Sequence, residues 1–233
     1  MTATNDVLLT SVFTEDAVNG FRMVNAKFPP ISLFEDVVDE GHFDDLYDIQ
    51  SLTNPRLLNE IGNIYLLPKH DIPYGINGCS YVVAPFTHVN PDGSRFSDGT
   101  FGLLYIANSP QTAKAEVKYH QDKYWSNVPG LKYERFVFKE LVCDFNITDG
   151  VDLTTLDINS DIHHPEKYSA SRELGLSIKE TQRNVTIKYH SVRNTGGTCY
   201  ALFSPKDVTN VTQAKHFEMV WKGYGITAMN EIS

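Results

Sequence analysis

The sequence predicts an α+β fold with a mixed, mainly antiparallel sheet and flanking helices. Segments with the apolar patterning of strands outnumber helical segments, and the helices do not alternate regularly with the strands. The run FGLLYIA at 101–107 is apolar on both of its alternating faces, which is typical of a strand buried from both sides. This order of elements argues against a doubly wound parallel sheet.

The first part of the chain, up to residue 75, predicts an accessory region of short amphipathic helices with acidic outer faces. Pro29 and Pro30 end any element before them, and TNP at 53–55 predicts a turn or a helix start. NIYLLP at 63–68 then predicts a first strand. Apolar residues before it recur mostly at spacings of three and four: Leu33, Phe34, Val37, Val38, Phe43, Leu46 and Ile49.

The middle of the chain predicts a strand, a turn, the 101–107 strand and a helix. GCSYVVAPFTHV at 78–89 predicts a strand that Pro85 bends or ends. Residues 90–100 have the proline, aspartates and glycines of turns. The segment at 108–125 predicts a helix, because Ser109 is a good N-cap and the proline after it suits the first helical position.

The last part of the chain continues the pattern with more strands than helices. Residues 132–147 alternate as one long strand or a bent pair, and 165–181 predict a helix that its single glycine could break. The segments at 186–192 and 198–203 predict strands around the turn RNTGG. The segment at 216–223 predicts a last edge strand.

The composition is that of an ordinary globular protein. The chain has 233 residues, of which 41% are apolar and 21% charged, with a net charge of −9 that argues against nucleic-acid binding as the main activity. We see no signal peptide and no apolar run long enough to span a bilayer. The three cysteines are far apart and lack CxxC spacing, so we expect neither a disulfide framework nor a zinc site. A cytoplasmic protein is the simplest prediction.

Three residues around the 101–107 strand are candidates for binding or chemistry. Arg95 precedes the strand, Tyr105 lies inside it, and Glu116 lies in the helix that follows. A strand, turn and helix of this length fold the helix back over the strand, so the three side chains could reach one cleft. Arg95 could equally be a surface charge, and Tyr105 a core residue. Glu116 borders the apolar side of its helix, where a carboxylate is costly unless it is paired or used.

The second candidate segment is KYHSVRNTGGTCYALFSP at 188–205. Its two glycines allow the backbone to approach a ligand closely, and His190, Ser191 and Arg193 cluster just before them. The same pattern also fits a plain hairpin, because TGGT between two strands is a strong turn signal. No G-x-S-x-G elbow surrounds the serine, so we predict no hydrolase nucleophile. The adjacent histidines of IHHPE lack a third ligand at a usable spacing, so we predict no metal site.

Taken together, these segments resemble the RES-domain family, the toxin components of bacterial RES–Xre toxin–antitoxin pairs. The residues that carry the resemblance are GSRFSDGTFGLLYIANSPQTAKAEVKYH at 93–120 and YHSVRNTGG at 189–197. The region from FPPISLF through LTNPRL is similar to the N-terminal extension of a longer branch. The resemblance covers most of the chain and implies a single domain, 1–233, with an accessory helical region at 1–75 and a catalytic core at 76–233.

The resemblance also implies an activity. Members of this family resemble ADP-ribosyltransferases in fold and break down NAD by hydrolysis or phosphorolysis, and some instead transfer ADP-ribose to a protein. Arginine can bind the pyrophosphate of NAD bidentately, and a carboxylate can stabilise the cation that develops at the ribose. His190 and Arg193 are further candidates for NAD binding. The family's functional arginine, tyrosine, glutamate and serine match Arg95, Tyr105, Glu116 and Ser191.

Several expectations about partners follow from the same resemblance. NAD is expected as a substrate rather than a cofactor, and a separate Xre-type antitoxin as the protein partner. We expect no direct contact with nucleic acid or membrane, and homo-oligomerisation stays open. Water, phosphate or a protein could accept the ADP-ribose, and a non-catalytic module that docks a partner through its acidic N-terminal region is an alternative. Shorter members often have Gly-Arg-Trp-Asn at the arginine, where this chain has Ser94, Arg95, Phe96 and Ser97.

Overall fold

The structure, a computed structural model, describes residues 12–28, 37, 39–53 and 61–232 and is built around a seven-stranded sheet. The strands are β1 (Val12–Asn25), β2 (Leu104–Ala107), β3 (Glu134–Asp152), β4 (Thr186–His190), β5 (Thr198–Leu202), β6 (Val208–Trp221) and β7 (Ile226–Ile232). The helices with described bounds are α1 (Glu40–Thr53), α2 (Cys79–Thr87), α3 (Pro110–Ser126) and α4 (Ser169–Glu180). Short 3-10 turns lie at Ile64–Leu66, Lys69–Asp71 and Asp161–His163.

The strand order places five strands in a closed ring. The order is β1-β2-β5-β4-β3-β6-β7, and β1 also pairs with β3, so the ring runs β1, β2, β5, β4, β3 and back to β1. β3 is long enough to change neighbours on one side: residues 134–145 pair with β6, and residues 150–152 pair with β4. The β3–β4 pair is parallel and the other pairs are antiparallel. The predicted α+β class with a mixed, mainly antiparallel sheet is confirmed.

The two faces of the sheet carry separate cores. On one face α1 and α2 pack against β2, β3 and β6, with residues such as Phe43, Val82 and Phe145 fully buried. On the other face α3 and α4 cover the sheet, and Leu174 and Ile178 of α4 are buried there. β2 lies between both cores, as its continuous apolar pattern predicts. The strand is therefore held rigidly, which matters because Tyr105 belongs to it.

Several predicted elements are confirmed. The helix after β2 begins at Pro110, and the Ser109 hydroxyl accepts a hydrogen bond from the Thr112 amide at 3.2 Å, as expected of an N-cap. Residues 132–147 belong to one long strand, β3, rather than a bent pair. β4 and β5 form the predicted hairpin around RNTGG.

Three element predictions were wrong, and the possible break at Gly175 did not occur. The segment at 78–89 is helix α2 with Pro85 inside it, and 63–68 contains a 3-10 turn capped by Asn63 instead of a strand. α4 runs through Gly175 without a break. The segment at 216–223 is not the last edge strand, because it belongs to β6 between β3 and β7.

The N-terminal region contributes a strand as well as a helix. β1 at 12–25, which the sequence analysis did not predict, pairs with β3 along most of its length, and α1 agrees with the expected amphipathic helix, since Phe43 is buried. The predictions for Pro29, Pro30, Leu33, Phe34, Val38 and residues 54–55 of the predicted turn fall outside the described residues. No helix in the described part of the chain is both long and apolar enough to cross a membrane.

Candidate functional site

Arg95 lies in a loop between α2 and β2 that is fixed by its own hydrogen bonds. The Ser94 amide donates to the Ser97 carbonyl at 2.8 Å, and the Ser97 hydroxyl donates to the Phe101 carbonyl at 2.5 Å. Phe96 is fully buried, and its ring meets the Tyr189 ring edge-on at 5.0 Å. The residues on either side of Arg95 are therefore anchored, which fixes the direction of its side chain.

The Arg95 side chain is buried, contrary to the simple expectation of a surface charge. Only 9% of the residue is exposed. Its Nη1 donates to the carbonyls of Ile162 and His164 at 3.2 and 3.1 Å, and its guanidinium carbon lies 4.6 Å from the centre of the Tyr168 ring. Within the described residues it makes no ion pair with a carboxylate. A buried cation with neutral partners alone is costly, so the site favours an anion beside it.

Tyr105 supports the arginine loop with its hydroxyl. That oxygen shares a hydrogen bond of 2.7 Å with the Ser94 hydroxyl and accepts the Phe96 amide at 3.2 Å. Burial is the main reason that the pKa of the Tyr105 phenol rises to about 12. Its carbonyl accepts a hydrogen bond of 2.8 Å from the partly buried Arg22 of β1. Tyr105 is thus held at both its backbone and its hydroxyl.

Glu116 and Ser191 are joined directly, although 75 residues separate them in sequence. The Ser191 hydroxyl donates to Glu116 Oε1 at 2.6 Å, and the Cys199 thiol lies 4.0 Å from the same oxygen. Ser191 is 4% exposed, whereas Glu116 is only partly buried. A short hydrogen bond from a buried hydroxyl fixes one oxygen of the Glu116 carboxylate. Because the carboxylate is planar, the direction of its other oxygen is then fixed as well.

The loop that carries Ser191 is tied to the start of α3. The Ser191 hydroxyl accepts the amides of Arg193 and Asn194 at 3.2 and 3.1 Å, which closes the turn. The Asn194 side chain then donates to the Thr112 hydroxyl at 2.9 Å, and Thr112 is fully buried in α3. A Cβ on Gly197 would lie 2.5 Å from the same hydroxyl, so this position requires glycine. The hairpin and the Glu116 helix therefore form one unit.

His190 and Arg193 flank this unit on the side of residues 161–168. His190 Nε2 donates to the Thr154 carbonyl at 3.0 Å. Arg193 Nη2 donates to the Pro165 carbonyl, and its guanidinium lies 3.3 Å from the centre of the Tyr119 ring. His190 is committed to a backbone carbonyl, whereas Arg193 presents a second guanidinium without a carboxylate partner among the described residues.

The charges of Arg95 and Glu116 both affect the pKa of two side chains, Tyr189 and Cys199. The Glu116 charge raises the pKa of Tyr189 and Cys199, while the Arg95 charge lowers both, and burial is the largest cause of the net upward shift in each. Tyr189 and Cys199 are opposed in the β4–β5 register. The two predicted site residues of opposite charge thus both lie near this pair of residues in the sheet.

His120 and His163 are two histidines near the site to which the sequence analysis assigned no role. Desolvation of the His120 ring, followed by Arg193, Lys123 and Arg95, lowers its pKa to about 4, even though the residue as a whole is exposed. His163 is 1% exposed, its Nδ1 donates to the Asp157 carbonyl at 3.2 Å, and its Nε2 has no partner. Burial lowers its pKa also. The positive charge that three basic side chains place around His120 could have been inferred only from the fold.

A surface depression near Trp125 lies apart from the candidate site. A depression of about 330 Å³ near Trp125 is lined by residues 25, 27 and 134–137 and contains none of the predicted site residues. No three histidine, cysteine, aspartate or glutamate side chains in the described ranges lie close enough together to hold a metal ion.

Comparison with known families identifies the domain. A model of the RES domain matches residues 72–222, well over half of the chain. The chain belongs to the RES domain family. Within this RES domain lie all six predicted site residues: Arg95, Tyr105, Glu116, His190, Ser191 and Arg193. β1 with Arg22 lies before the matched range.

Two individual proteins are similar to this RES domain chain over most of their length. The uncharacterized protein y4oC of Sinorhizobium fredii (strain NBRC 101917 / NGR234) is 27% identical over 209 residues, which cover 90% of this chain and 85% of that protein. A chain in the crystal structure of the M. tuberculosis MbcT–MbcA toxin–antitoxin complex aligns with a TM-score of 0.44 and 11% identity, covering 90% of this chain and 89% of that one.

Proposed function

We propose that this RES domain protein cleaves the bond between nicotinamide and ribose in NAD. The observation that carries the proposal is the buried Arg95 guanidinium, which has carbonyl and ring partners alone among the described residues. Its charge acts on Tyr189 and Cys199, as does the charge of Glu116, which accepts a hydrogen bond from Ser191. The resemblance of the same residues to the functional set of the RES family supports this assignment.

Arg95 binds the pyrophosphate of NAD in this proposal. The hydrogen bonds to Ile162 and His164 use one of its three nitrogens, so the remaining N–H groups of the planar fork are available to phosphate oxygens. Arg193 offers a second guanidinium close to His120. Charge-assisted hydrogen bonds in a partly buried site are stronger than those in water, which suits a doubly negative group.

Glu116 acts at the ribose. As the C–N bond breaks, its electron pair stays on the nicotinamide ring nitrogen, and positive charge develops at the ribose carbon. A carboxylate held at a fixed distance stabilises that charge, and the Ser191 hydroxyl orients it through Oε1. When water is the acceptor, its oxygen bonds to the ribose carbon and its proton passes through Glu116 to solvent. Phosphate or a protein side chain could take the place of water.

We further propose that this activity makes the protein a toxin that a separate Xre-type antitoxin neutralises in the cell. The support is the family resemblance, together with the loss of NAD that the proposed reaction would cause. Expression of the chain in a bacterium should then stop growth and lower cellular NAD, and Glu116→Gln should abolish both effects. Growth arrest that persists in Glu116→Gln would contradict the link between the reaction and toxicity.

The reaction is tested with purified protein and NAD in buffers with and without phosphate. Chromatography measures nicotinamide release, and mass spectrometry distinguishes ADP-ribose, a phosphorylated ADP-ribose and labelled protein in a lysate. We expect Glu116→Gln to lower kcat by about 100- to 1000-fold, as for other losses of transition-state charge stabilisation. Glu180→Gln, at an exposed glutamate of α4, is the matched control and should be unchanged.

Two results would contradict the proposed reaction. The first is wild-type protein that releases no nicotinamide under any of these conditions. The second is Glu116→Gln protein that turns NAD over as fast as the Glu180→Gln control. The identity of the acceptor follows from the product and does not affect this decision.

A further inference from the structure

Helix α4 holds the Arg95 loop through hydrogen bonds. No sequence motif connects this helix to the loop. Arg172 Nε donates to the Ser94 carbonyl at 2.9 Å, and Arg172 Nη2 donates to the Asp92 carbonyl at 2.8 Å. The donors and acceptors are about 80 residues apart in the chain. The planar fork of one arginine thus binds two carbonyls of the loop, on the N-terminal side of Arg95.

The backbone of α4 also touches the loop. Gly175 lies three residues after Arg172, on the same side of the helix. A Cβ at Gly175 would lie 1.8 Å from the Phe96 carbonyl oxygen, so only glycine lets the helix approach this closely. α4 therefore contacts the residues on both sides of Arg95: Ser94 through a side chain and Phe96 through its own backbone.

The loop is held on its other side by β2. The Tyr105 hydroxyl bonds the Ser94 hydroxyl at 2.7 Å and the Phe96 amide at 3.2 Å. Ser94 thus meets Arg172 through its carbonyl and Tyr105 through its hydroxyl. The Tyr105 hydroxyl thus makes two hydrogen bonds to this loop, one to a side chain and one to a backbone amide.

We propose that Arg172 is a positioning residue, which with the Tyr105 hydroxyl fixes the loop that aims Arg95 at the phosphates of NAD. This inference rests on the proposed NAD reaction and assigns a role to a residue outside the predicted site. The Tyr168 ring links the two arginines, because it lies 4.6 Å from the Arg95 guanidinium and 5.9 Å from that of Arg172. Tyr105 acts through Arg95 in the same way.

The expected effect is on NAD binding rather than on bond cleavage. A loop that is fixed before the substrate arrives loses no conformational entropy when NAD binds. Loosening the loop therefore weakens the binding of the substrate and of the transition state equally. Such a change raises KM and leaves kcat nearly constant. Loss of a hydrogen bond from a charged donor changes an equilibrium by about tenfold.

The experiment compares Arg172→Met, which removes both donors, with Arg172→Lys, which keeps a charge but cannot bind two carbonyls as a fork. Arg135→Met is the matched control, because Arg135 bonds Glu218 on the exposed surface of β3. We expect Arg172→Met to raise KM for NAD by about tenfold or more, with kcat within about threefold of wild type. Arg172→Lys should fall between, and the control should match wild type.

Hydrogen exchange gives a second measurement that does not depend on turnover. The Ser94 and Phe96 amides are bonded inside the loop and to Tyr105, so their exchange should accelerate in Arg172→Met and in Tyr105→Phe. Exchange in β3 should stay unchanged in both variants, which shows that the fold is intact. A role in stability alone would lower the amount of active protein, and hence kcat, with KM unchanged.

Three results would overturn the inference. KM in Arg172→Met could equal that of the control, kcat could fall with KM constant, or the Ser94 and Phe96 amides could keep their wild-type exchange rates. If wild-type protein turns over no NAD, the proposed reaction fails. The exchange result alone then decides whether Arg172 holds the loop.

Discussion

Removing the Ser191 hydroxyl should destabilise the protein as well as impair the site. In Ser191→Ala, Glu116 Oε1 loses a donor at 2.6 Å, and the Arg193 and Asn194 amides lose an acceptor at 3.2 and 3.1 Å. Ser191 is 4% exposed, so water cannot readily replace the hydroxyl inside the turn.

The size of the effect follows from these three bonds. A buried donor or acceptor left without a partner costs about 1 to 3 kcal/mol, but Glu116 is partly exposed and regains some hydration. We therefore expect the free energy of unfolding to fall by about 2 to 3 kcal/mol. In a chain of this size that lowers Tm by about 4 to 12 °C.

Thermal unfolding followed by circular dichroism measures this change. Ser177→Ala is the control, because the Ser177 hydroxyl donates at 2.9 Å to the Glu173 carbonyl within its own helix. Its Tm should stay close to that of wild type, since such a bond competes weakly with water. The reasoning is refuted if Ser191→Ala melts within about 1 °C of Ser177→Ala, which is well below the shift expected.

Two further predictions concern stability. Gly175→Ala should lower Tm despite the better helix propensity of alanine, because the added Cβ would lie 1.8 Å from the Phe96 carbonyl oxygen and overpacking costs about 1 to 3 kcal/mol. Gly41→Ala should leave Tm unchanged, because the added Cβ would lie 3.5 Å from its nearest neighbour, an oxygen of Asp39. Equal Tm values for the two variants would disprove the contact at Gly175. Burial lowers the pKa of His163 below its unfolded value, so below about pH 6.5 the unfolded chain binds a proton that the folded chain does not, and the free energy of unfolding should fall as the pH falls. Urea unfolding between pH 7.5 and about 5.5 measures this dependence. The free energy of unfolding should change less with pH in His163→Gln than in wild type, and as much as in wild type in His42→Gln, where the side chain is exposed. Equal pH dependence in the two variants would contradict the prediction.

The α2 segment illustrates what apolar patterning can and cannot decide. Its valines favour a strand and Pro85 disfavours the interior of a helix, yet Cys79, Val82, Val83 and Phe86 follow helical spacing, and all four are buried. In a nine-residue apolar segment both patterns fit. Packing against the sheet decides between them, and that contact is not encoded in the segment itself.

β1 was missed for a different reason. Its residues VFTEDAVNG are largely exposed and mix polar with apolar side chains, so the alternation of a half-buried strand is weak there. Its partner β3 begins more than 100 residues later, with Val12 opposite Val151 at one end and Asn25 opposite Phe138 at the other. Pairing at that distance leaves no local signal.

The residues of the candidate site also differ in whether a local sequence signal indicates them. That Arg95, Tyr105 and Glu116 lie near one another could be predicted, because one strand, turn and helix bring them together. Ser191 was singled out by its turn and the family resemblance, and the roles of all four residues stay predictions. Arg172 could not be predicted, because its acceptors are backbone carbonyls, which any residue type can supply. His163 likewise owes its burial to the chain around it.

The closed ring of strands has a practical consequence for the limits of this domain. A fragment cut to the matched residues 72–222 would lack β1, the strand between β2 and β3. The edges of β2 and β3 would then be open to pairing with another chain, and the Tyr105 carbonyl would lose Arg22. Such a fragment should aggregate on expression. The smallest piece that folds must therefore include β1, which begins at residue 12, well ahead of residue 72, where the match to the family model begins.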